Sequence, residues 1–525
     1  MQVQLPEGQS LQEFAARLPA GCTLQTGRPY TEDLALYDTF DWRLFRRSLV
    51  LTWNGRELIL RSLPAGEIIA SAPASGVPGF ARQVDAGPLR QILEQSAGIR
   101  TLLCIGKIHS RSTPCQVLNA EGKIVVRLIW SLSRVDKTAP ARVDVFLQRV
   151  RGYDGRFNEL AQSLSESGTE PGAWQQLYTQ AVQASGSQPG SYTSRPVYQL
   201  DPQMRSDDAV KIGLRHWLGI IRANEAGIRA DLDTEFLHEF RTAIRRTRSA
   251  LSQLSGVFPE QVTLHYKTAF GQIAQGTNRL RDLDVYLLAE PEYRLMLPAA
   301  MRENLTPVFD HLRGQRQQAA DAVAALLVSE TYTHTMQDWE VFLNQPAQPD
   351  PQPLNAVIPV LALAQRRIDR CYRRVIINGR LILDNAQDAL LHELRIDCKK
   401  LRYLIEFFAS LFPPEQYDAA IVHMKTLQDM LGQFCDLSIQ QSSLLALAEE
   451  LPLENQATRK ALLATGFLID NLDREQQAAR SQFASAFNQF MSPASRRLFS
   501  QLTARNLRKE QHDDHRPVQQ QRRGR

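Results

Sequence analysis

Two segments place cations and a histidine at helical spacing: LHEFRTAIRRTRSAL beginning at Leu237 and LHELRIDCKKLRYLI beginning at Leu391. On a helix at 100° per residue, with His238 at zero, Arg245 falls at about −20°, Arg241 at about −60° and Arg248 at about −80°. Leu237, Phe240, Ile244, Leu251 and Leu254 occupy a separate arc from roughly 160° to 260°. In the second segment His392, Arg395, Lys399 and Arg402 share the basic stripe, and Leu391, Leu394, Cys398, Leu401 and Ile405 form the apolar face. The cations border the core and so line a groove at its rim. Cations stacked along one helix repel each other. A polyanion laid in the groove relieves that repulsion, and the arginine fork matches phosphate oxygens.

For any one arginine the plainer reading is a solvated face with scattered salt bridges. The stripe occurs twice, each time headed by a histidine, and that decides for anion binding. Neither His238 nor His392 has a second histidine or a carboxylate at ligand spacing on its face, and no H-E-x-x-H motif occurs. A hydrogen-bonding role or a phosphate contact is expected of them, with no metal and no cofactor.

The two segments lie 154 residues apart, and other landmarks keep that offset: Phe258-Pro259 falls on Phe412-Pro413, and Asp282 to Val285 falls on Asp436 to Ile439. An ungapped repeat of this length predicts a duplicated helical unit, with room for about four helices per copy. Secondary cation candidates are Lys211, Arg215 and His216 on the first helix of one copy, and Arg366, Arg367, Arg370, Arg373 and Arg374 on the related helix of the other. Weaker ones are Lys267, Arg279, Arg281, Arg313, Arg316 and Lys425; Arg281 precedes Asp282, so an internal ion pair is equally expected there.

Before the repeat the pattern changes. Residues 1–5, 49–53, 56–63, 102–108 and 123–132 have strand character, and 87–96, 156–165 and 173–183 suit helices. The expected fold class is an α+β N-terminal domain, antiparallel and tunnel- or barrel-like, followed by an all-α domain of two pseudo-symmetric four-helix bundles. The expected organisation is an N-terminal domain over 1–185, a Gly/Ser/Pro linker over 186–204 and a first helical repeat over 205–343. A Pro-rich linker over 344–355, a second repeat over 356–500 and an unstructured basic tail over 501–525 follow.

Composition sets outer bounds. Hydrophobic residues make up 43% and charged residues 22% of 525, which excludes a wholly disordered, collagen-like or coiled-coil chain. A formal charge of +5 is mild, so anion binding rests on clustering. Six scattered cysteines with no C-x-x-C pair read as reduced thiols. No opening signal region and no apolar run of spanning length are present, which predicts a cytoplasmic protein away from membranes.

The doubled L-H-E-x-R-x-x-x-[RK]-[RK]-x-R motif, each copy followed by F-P and then D-L, resembles the conserved histidine α-helical (CHAD) domain over roughly residues 205 to 500. The resemblance implies two four-helix bundles whose basic inner surface binds inorganic polyphosphate, and association with polyphosphate granules. It assigns that role to His238, Arg241, Arg245, Arg248, His392, Arg395, Lys399 and Arg402, flanked by Arg246 and Lys400. Lys211, Arg215, Arg366, Arg370, Arg373, Arg374 and Lys425 are secondary positions.

The N-terminal part is similar to a CYTH, or triphosphate tunnel, domain, through YDTFDWRLFRRSLVL (from Tyr37), AGIRTLLCIGKI (from Ala97) and RGYDGRFNEL (from Arg151). That family's metal-binding E-x-E-x-K strand reads here Gln2-Val3-Gln4-Leu5-Pro6, and a neutral amide is a poor ligand for a hard dication. Arg56, Arg61, Lys107, Arg127 and Arg134 remain on strand-like pieces, facing either inward or solvent. The resulting expectation is a noncatalytic polyphosphate-binding protein with a degenerate tunnel domain. The alternatives are a metal-dependent triphosphatase or polyphosphatase acting through the N-terminal domain, and nonspecific nucleic-acid binding. Against the last, the basic residues lack the interleaved aromatics that stack bases.

Overall fold

The computed structural model describes residues 2–5, 8–64, 66–135, 141–166, 173–346, 353–384, 387–450 and 456–503. From residue 504 on, the expected basic tail lies outside the described residues, as do 347–352 of the Pro-rich linker. The chain divides into two compact units, residues 1–193 and 194–525.

The first unit runs β1 (Gln2–Leu5), α1 (Leu11–Ala16), β2 (Thr23–Thr26), β3 (Tyr30–Asp38), β4 (Leu49–Trp53), β5 (Glu57–Ser62), β6 (Ile68–Pro73), α2 (Pro88–Ala97), β7 (Leu103–Leu118), β8 (Ile124–Arg134), β9 (Arg142–Arg149), α3 (Asp154–Glu166) and α4 (Ala173–Ala184). Its strands form one antiparallel sheet in the order β1-β9-β8-β7-β3-β4-β5-β6, with β2 also pairing β7. This is the antiparallel α+β domain that the alternating patterns predict, and it is consistent with a tunnel-like fold. Val3 and Leu5 of β1 are buried with Phe14, Trp130, Val145 and Phe157, which seats α1 and α3 on one end of the sheet.

α4 buries Trp174, Leu177, Tyr178 and Val182 against Leu34, Leu36 and Ile108. That approach needs Gly106, where an added Cβ would stand 2.9 Å from the Ala181 carbonyl oxygen. Arg56, Lys107, Arg127 and Arg134 are solvent-exposed. Arg61 is half-buried, donating to the Gly66 carbonyl at 3.1 Å with its guanidinium 5.6 Å from the Trp174 ring.

Strand β7 continues well past Ile108, where the sequence pattern ends, because Lys107, His109 and Arg111 occupy an exposed face and Pro114 reads as a breaker. The Pro114 carbonyl accepts from Gly27 N at 2.7 Å, so its donorless nitrogen faces the same side. It falls there in the gap between the stretch paired with β3, ending at Ser112, and that paired with β2, starting at Cys115. No ladder bond is lost.

The second unit is helical: α5 (Ser206–Arg229), α6 (Thr234–Gln253), α7 (Glu260–Gly276), α8 (Asn278–Met296), α9 (Thr306–Val328), α10 (Glu330–Asn344), α11 (Val360–Asp384), α12 (Asp388–Phe407), α13 (Pro414–Glu450), α14 (Gln456–Ser481), α15 (Phe483–Phe490) and α16 (Pro493–Leu502). The 154-residue offset carries the start of α5 onto α11 and both ends of α6 onto the ends of α12. The copies share a core in which Leu283, Phe309 and Leu312 pack with Leu437, Leu444, Leu468 and Leu472. No helix among the described residues is long and apolar enough to cross a membrane.

In one place the copies differ. The first copy breaks into α7 and α8 at Gly276-Thr277, whereas the second runs unbroken as α13 through the equivalent Met430 and Leu431. Glycine and threonine are weak helix formers beside methionine and leucine. Here the Thr277 hydroxyl also bonds back to the Ala274 carbonyl at 2.9 Å.

Candidate functional site

Helix α6 is started by Asp233, whose carboxylate accepts from the backbone N of Glu235 and Phe236. It buries Leu237, Phe240, Ile244 and Leu251, while α12 buries Leu391, Leu394, Cys398, Leu401 and Ile405. These are the apolar arcs read from the helical spacing. With those faces fixed in the core, the basic borders of the two helices meet. Arg245 Nε donates to Tyr403 Oη at 2.7 Å, and Arg246 Nη2 to Glu406 Oε2 at 2.7 Å. Gly213 of α5 makes room for the end of α12: a Cβ there would lie 2.3 Å from the Phe407 ring.

The result is a cavity of about 280 Å³. α6 contributes His238, Thr242, Arg245 and Arg246 to its lining; α12 contributes Arg395, Cys398, Lys399, Arg402 and Tyr403; α13 contributes Gln428, Asp429 and Leu431. Six of the ten principal sequence candidates are thereby gathered from both copies. Their charges are partly compensated. Arg246 and Arg402 share the buried Glu406, each at 2.7 Å, and Arg395 meets Asp436 at 2.6 Å. Arg245 and Lys399 make no salt bridge among the described residues; Arg245 bonds instead to the hydroxyls of Tyr403 and Thr242. Lys399 is pushed down to about 8, first by burial and then by the like charges of Arg395 and Arg245. The two arginines thus add a like-charge contribution to the larger effect of burial.

The other four principal candidates stand elsewhere. His392 sets its ring edge-on to Phe434, with centroids 5.9 Å apart. Lys400 pairs with Asp397 at 3.2 Å. Arg248 is half-buried, its Nε without a hydrogen-bond partner. Arg241 reaches the α7–α8 break, donating to the Ala274 carbonyl (2.9 Å), Thr277 Oγ1 (2.6 Å) and Asn278 Oδ1 (2.9 Å). There it caps the negative end of α7. Although they are equivalent in the repeat, Arg241 and Arg395 hold different posts. Arg241→Ala is expected to cost about 1–2 kcal/mol in a urea titration followed by helicity. Arg395→Ala, whose partner Asp436 is largely exposed, is expected to cost less than about 1 kcal/mol.

The secondary candidates do not line this cavity. Lys211 and Arg215 donate to the Gln345 and Leu343 carbonyls, each at 2.7 Å, tying α5 to the end of α10. Arg366 bonds Asn355 Oδ1 at 2.6 Å, Arg373 pairs with Asp369 at 2.6 Å, and Arg374 lies 4.0 Å from Asp397. Arg370 and Lys425 are exposed. Sequence reasoning missed Tyr403, Glu406, Gln428 and Thr242. Among the described residues no His, Cys, Asp and Glu side chains group as a metal site.

Residues 213–445 match the family model described as the CHAD domain. This segment of the helical unit is a CHAD domain. Similar solved structures include the crystal structure of the CHAD domain from the plant Ricinus communis, 22% identical with a TM-score of 0.46, covering 55% of this chain and 95% of that one. Another is PptA from Streptomyces chartreusis, 16% identical with a TM-score of 0.42, covering 54% of this chain and 100% of that one. A search of curated proteins finds no match.

Proposed function

We propose that the helical unit is a noncatalytic seat for inorganic polyphosphate. The CHAD family is associated with that polymer in general terms, and the reading for this chain is carried by one observation. Arg245 and Lys399, equivalent residues of the two copies, converge on one cavity without carboxylate partners of their own among the described residues. Successive phosphoryl groups accept hydrogen bonds from the Arg245 guanidinium and the Lys399 ammonium, with His238 and Tyr403 alongside. No base or sugar is needed, which suits a polymer without sequence. The first strand, with Gln4 where a metal-holding carboxylate would be sought, supports a binding role. Association with polyphosphate granules follows from the same reading.

The deciding experiment is a titration of the full chain with long-chain polyphosphate and with orthophosphate across a salt series. Polyphosphate is expected to bind far more tightly, with log affinity falling linearly in log salt as counterions are released. Equal affinity for both ligands, or no salt slope, would defeat the proposal. Turnover of tripolyphosphate with Mg²⁺ or Mn²⁺ would overturn its noncatalytic part.

Affinity should also depend on pH. Below about pH 8 Lys399 carries its charge; as pH rises through 8 the free site loses it, so affinity falls. A bound polyanion raises the Lys399 pKa, so binding takes up a proton in that window. Between about pH 7 and pH 9.5 the affinity should drop roughly tenfold, the worth of one charge-assisted contact. In Lys399→Arg, measured in the same buffers, the curve should be flat.

A further inference from the structure

We propose that the cleft between the α6–α7 turn and helix α11 is a second oxyanion site, separate from the α6–α12 cavity and built to take a phosphate-type group. The cleft is roomy, about 810 Å³, and Arg366, Arg367 and Arg370 all line it. Positions 366 and 370 are one turn apart and present their side chains together. Neither makes a salt bridge among the described residues, and Arg366 holds only the neutral Asn355. Glu260 is the one carboxylate on the lining among the described residues. Among the described residues, three guanidiniums thus face one exposed carboxylate, a surplus of positive charge.

Two further observations point to a ligand. Arg367 is 8% exposed, yet its Nε is buried without a hydrogen-bond partner. Among the described residues its Nη2 reaches only the carbonyl and hydroxyl of Ser255, both neutral. Burial, then the like charges of Arg370 and Arg366, push its pKa down. A buried cation with neutral partners is costly unless an anion accompanies it. Second, α7 starts at this cleft. Its N-cap is Pro259, which offers no side-chain cap, and Pro259, Glu260 and Thr263 belong to the lining. The uncapped N–H groups and the positive end of a four-turn helix dipole therefore sit beside the three arginines.

The repeat does not duplicate this site. The positions equivalent to Arg366, Arg367 and Arg370 are Ile212, Gly213 and His216, and the His216 ring is covered by Tyr198 at 5.5 Å. This cleft is therefore a feature of the second copy's first helix, distinct from the cavity that both copies build. The phosphate-type group could be a free phosphate or the end of a polyphosphate chain, and the titrants separate the two.

The test uses the full chain carrying Arg245→Ala and Lys399→Ala, titrated calorimetrically at low salt with tripolyphosphate and with orthophosphate. One equivalent of tripolyphosphate should still bind, and adding Arg366→Gln and Arg370→Gln should weaken it at least tenfold with circular dichroism unchanged. Comparable binding of orthophosphate assigns the site to single phosphate groups; binding of tripolyphosphate alone assigns it to chain ends. Should the Arg245/Lys399 background fold poorly, Arg366→Gln/Arg370→Gln in the otherwise unaltered chain should remove one of two tripolyphosphate equivalents. Absence of any binding in the folded background, or binding indifferent to Arg366 and Arg370, overturns the proposal.

Discussion

Arg245→Ala combined with Lys399→Ala is expected to lower polyphosphate affinity at least 100-fold while leaving the helical unit folded. Each side chain offers a charge-assisted contact worth about 1.5–3 kcal/mol, and two such losses give about 3–6 kcal/mol. Neither residue is on the buried faces of α6 or α12. Alanine is the stronger helix former at both positions, and removing these two neighbouring like charges removes the repulsion between them. Helicity and urea midpoint should therefore stay level or rise slightly. A folded double variant that binds long-chain polyphosphate as tightly as the parent would remove the basis for placing the polymer in this cavity.

That pair is preferred over Arg241 with Arg395 because of something the repeat conceals. The doubled motif makes the positions at offset 154 look interchangeable, and for burial they are: Leu237 and Leu391, Ile244 and Cys398, Leu251 and Ile405 all enter the core. Periodicity records which face a helix buries, so the fold of the helical unit and the basic rim were legible. Partners across helices were not. Tyr403 and Glu406, which hold Arg245, Arg246 and Arg402, stand where the first copy has Ser249 and Ser252. They leave no repeated signal, and only the meeting of α6 with α12 gives them a role. Arg241 likewise acquired a capping post because Gly276-Thr277 broke a helix that Met430-Leu431 let run on.

The N-terminal sheet was read less completely for a related reason. The short or irregular strands β2, β3 and β6 lack a clean two-residue alternation; β9 places Val143, Val145 and Leu147 at that period, but four consecutive residues from Arg142 to Val145 are buried. Asp144 and Arg142 are buried together there, with the nearest nitrogen and oxygen 3.2 Å apart. A pattern that equates burial with apolar residues assigns Arg142 and Asp144 to solvent, so the burial of both faces of β9 was not legible.

Glu406→Gln should move stability and affinity in opposite directions. Glu406 is 6% exposed and holds both Arg246 and Arg402. Arg246 is itself largely enclosed, its guanidinium 4.7 Å from the Trp217 ring and bonded to the Ser194 carbonyl at 3.1 Å. Neutralising the carboxylate leaves that guanidinium buried without a counter-charge, a loss of about 3 kcal/mol for a pair broken from one side. The urea midpoint of the helical signal should fall accordingly. The same change adds one net positive charge at the cavity, because two arginines no longer share an anion. Polyphosphate should then bind several-fold more tightly at low salt, and the gain should shrink as salt screens it. Bound polymer should in turn restore part of the lost stability, since a ligand that binds only the folded state stabilises it by mass action. If Glu406→Gln weakened both folding and binding, Glu406 would be acting as a positioning residue for Arg246 and Arg402. Geometry, more than surplus charge, would then govern the grip on the polymer.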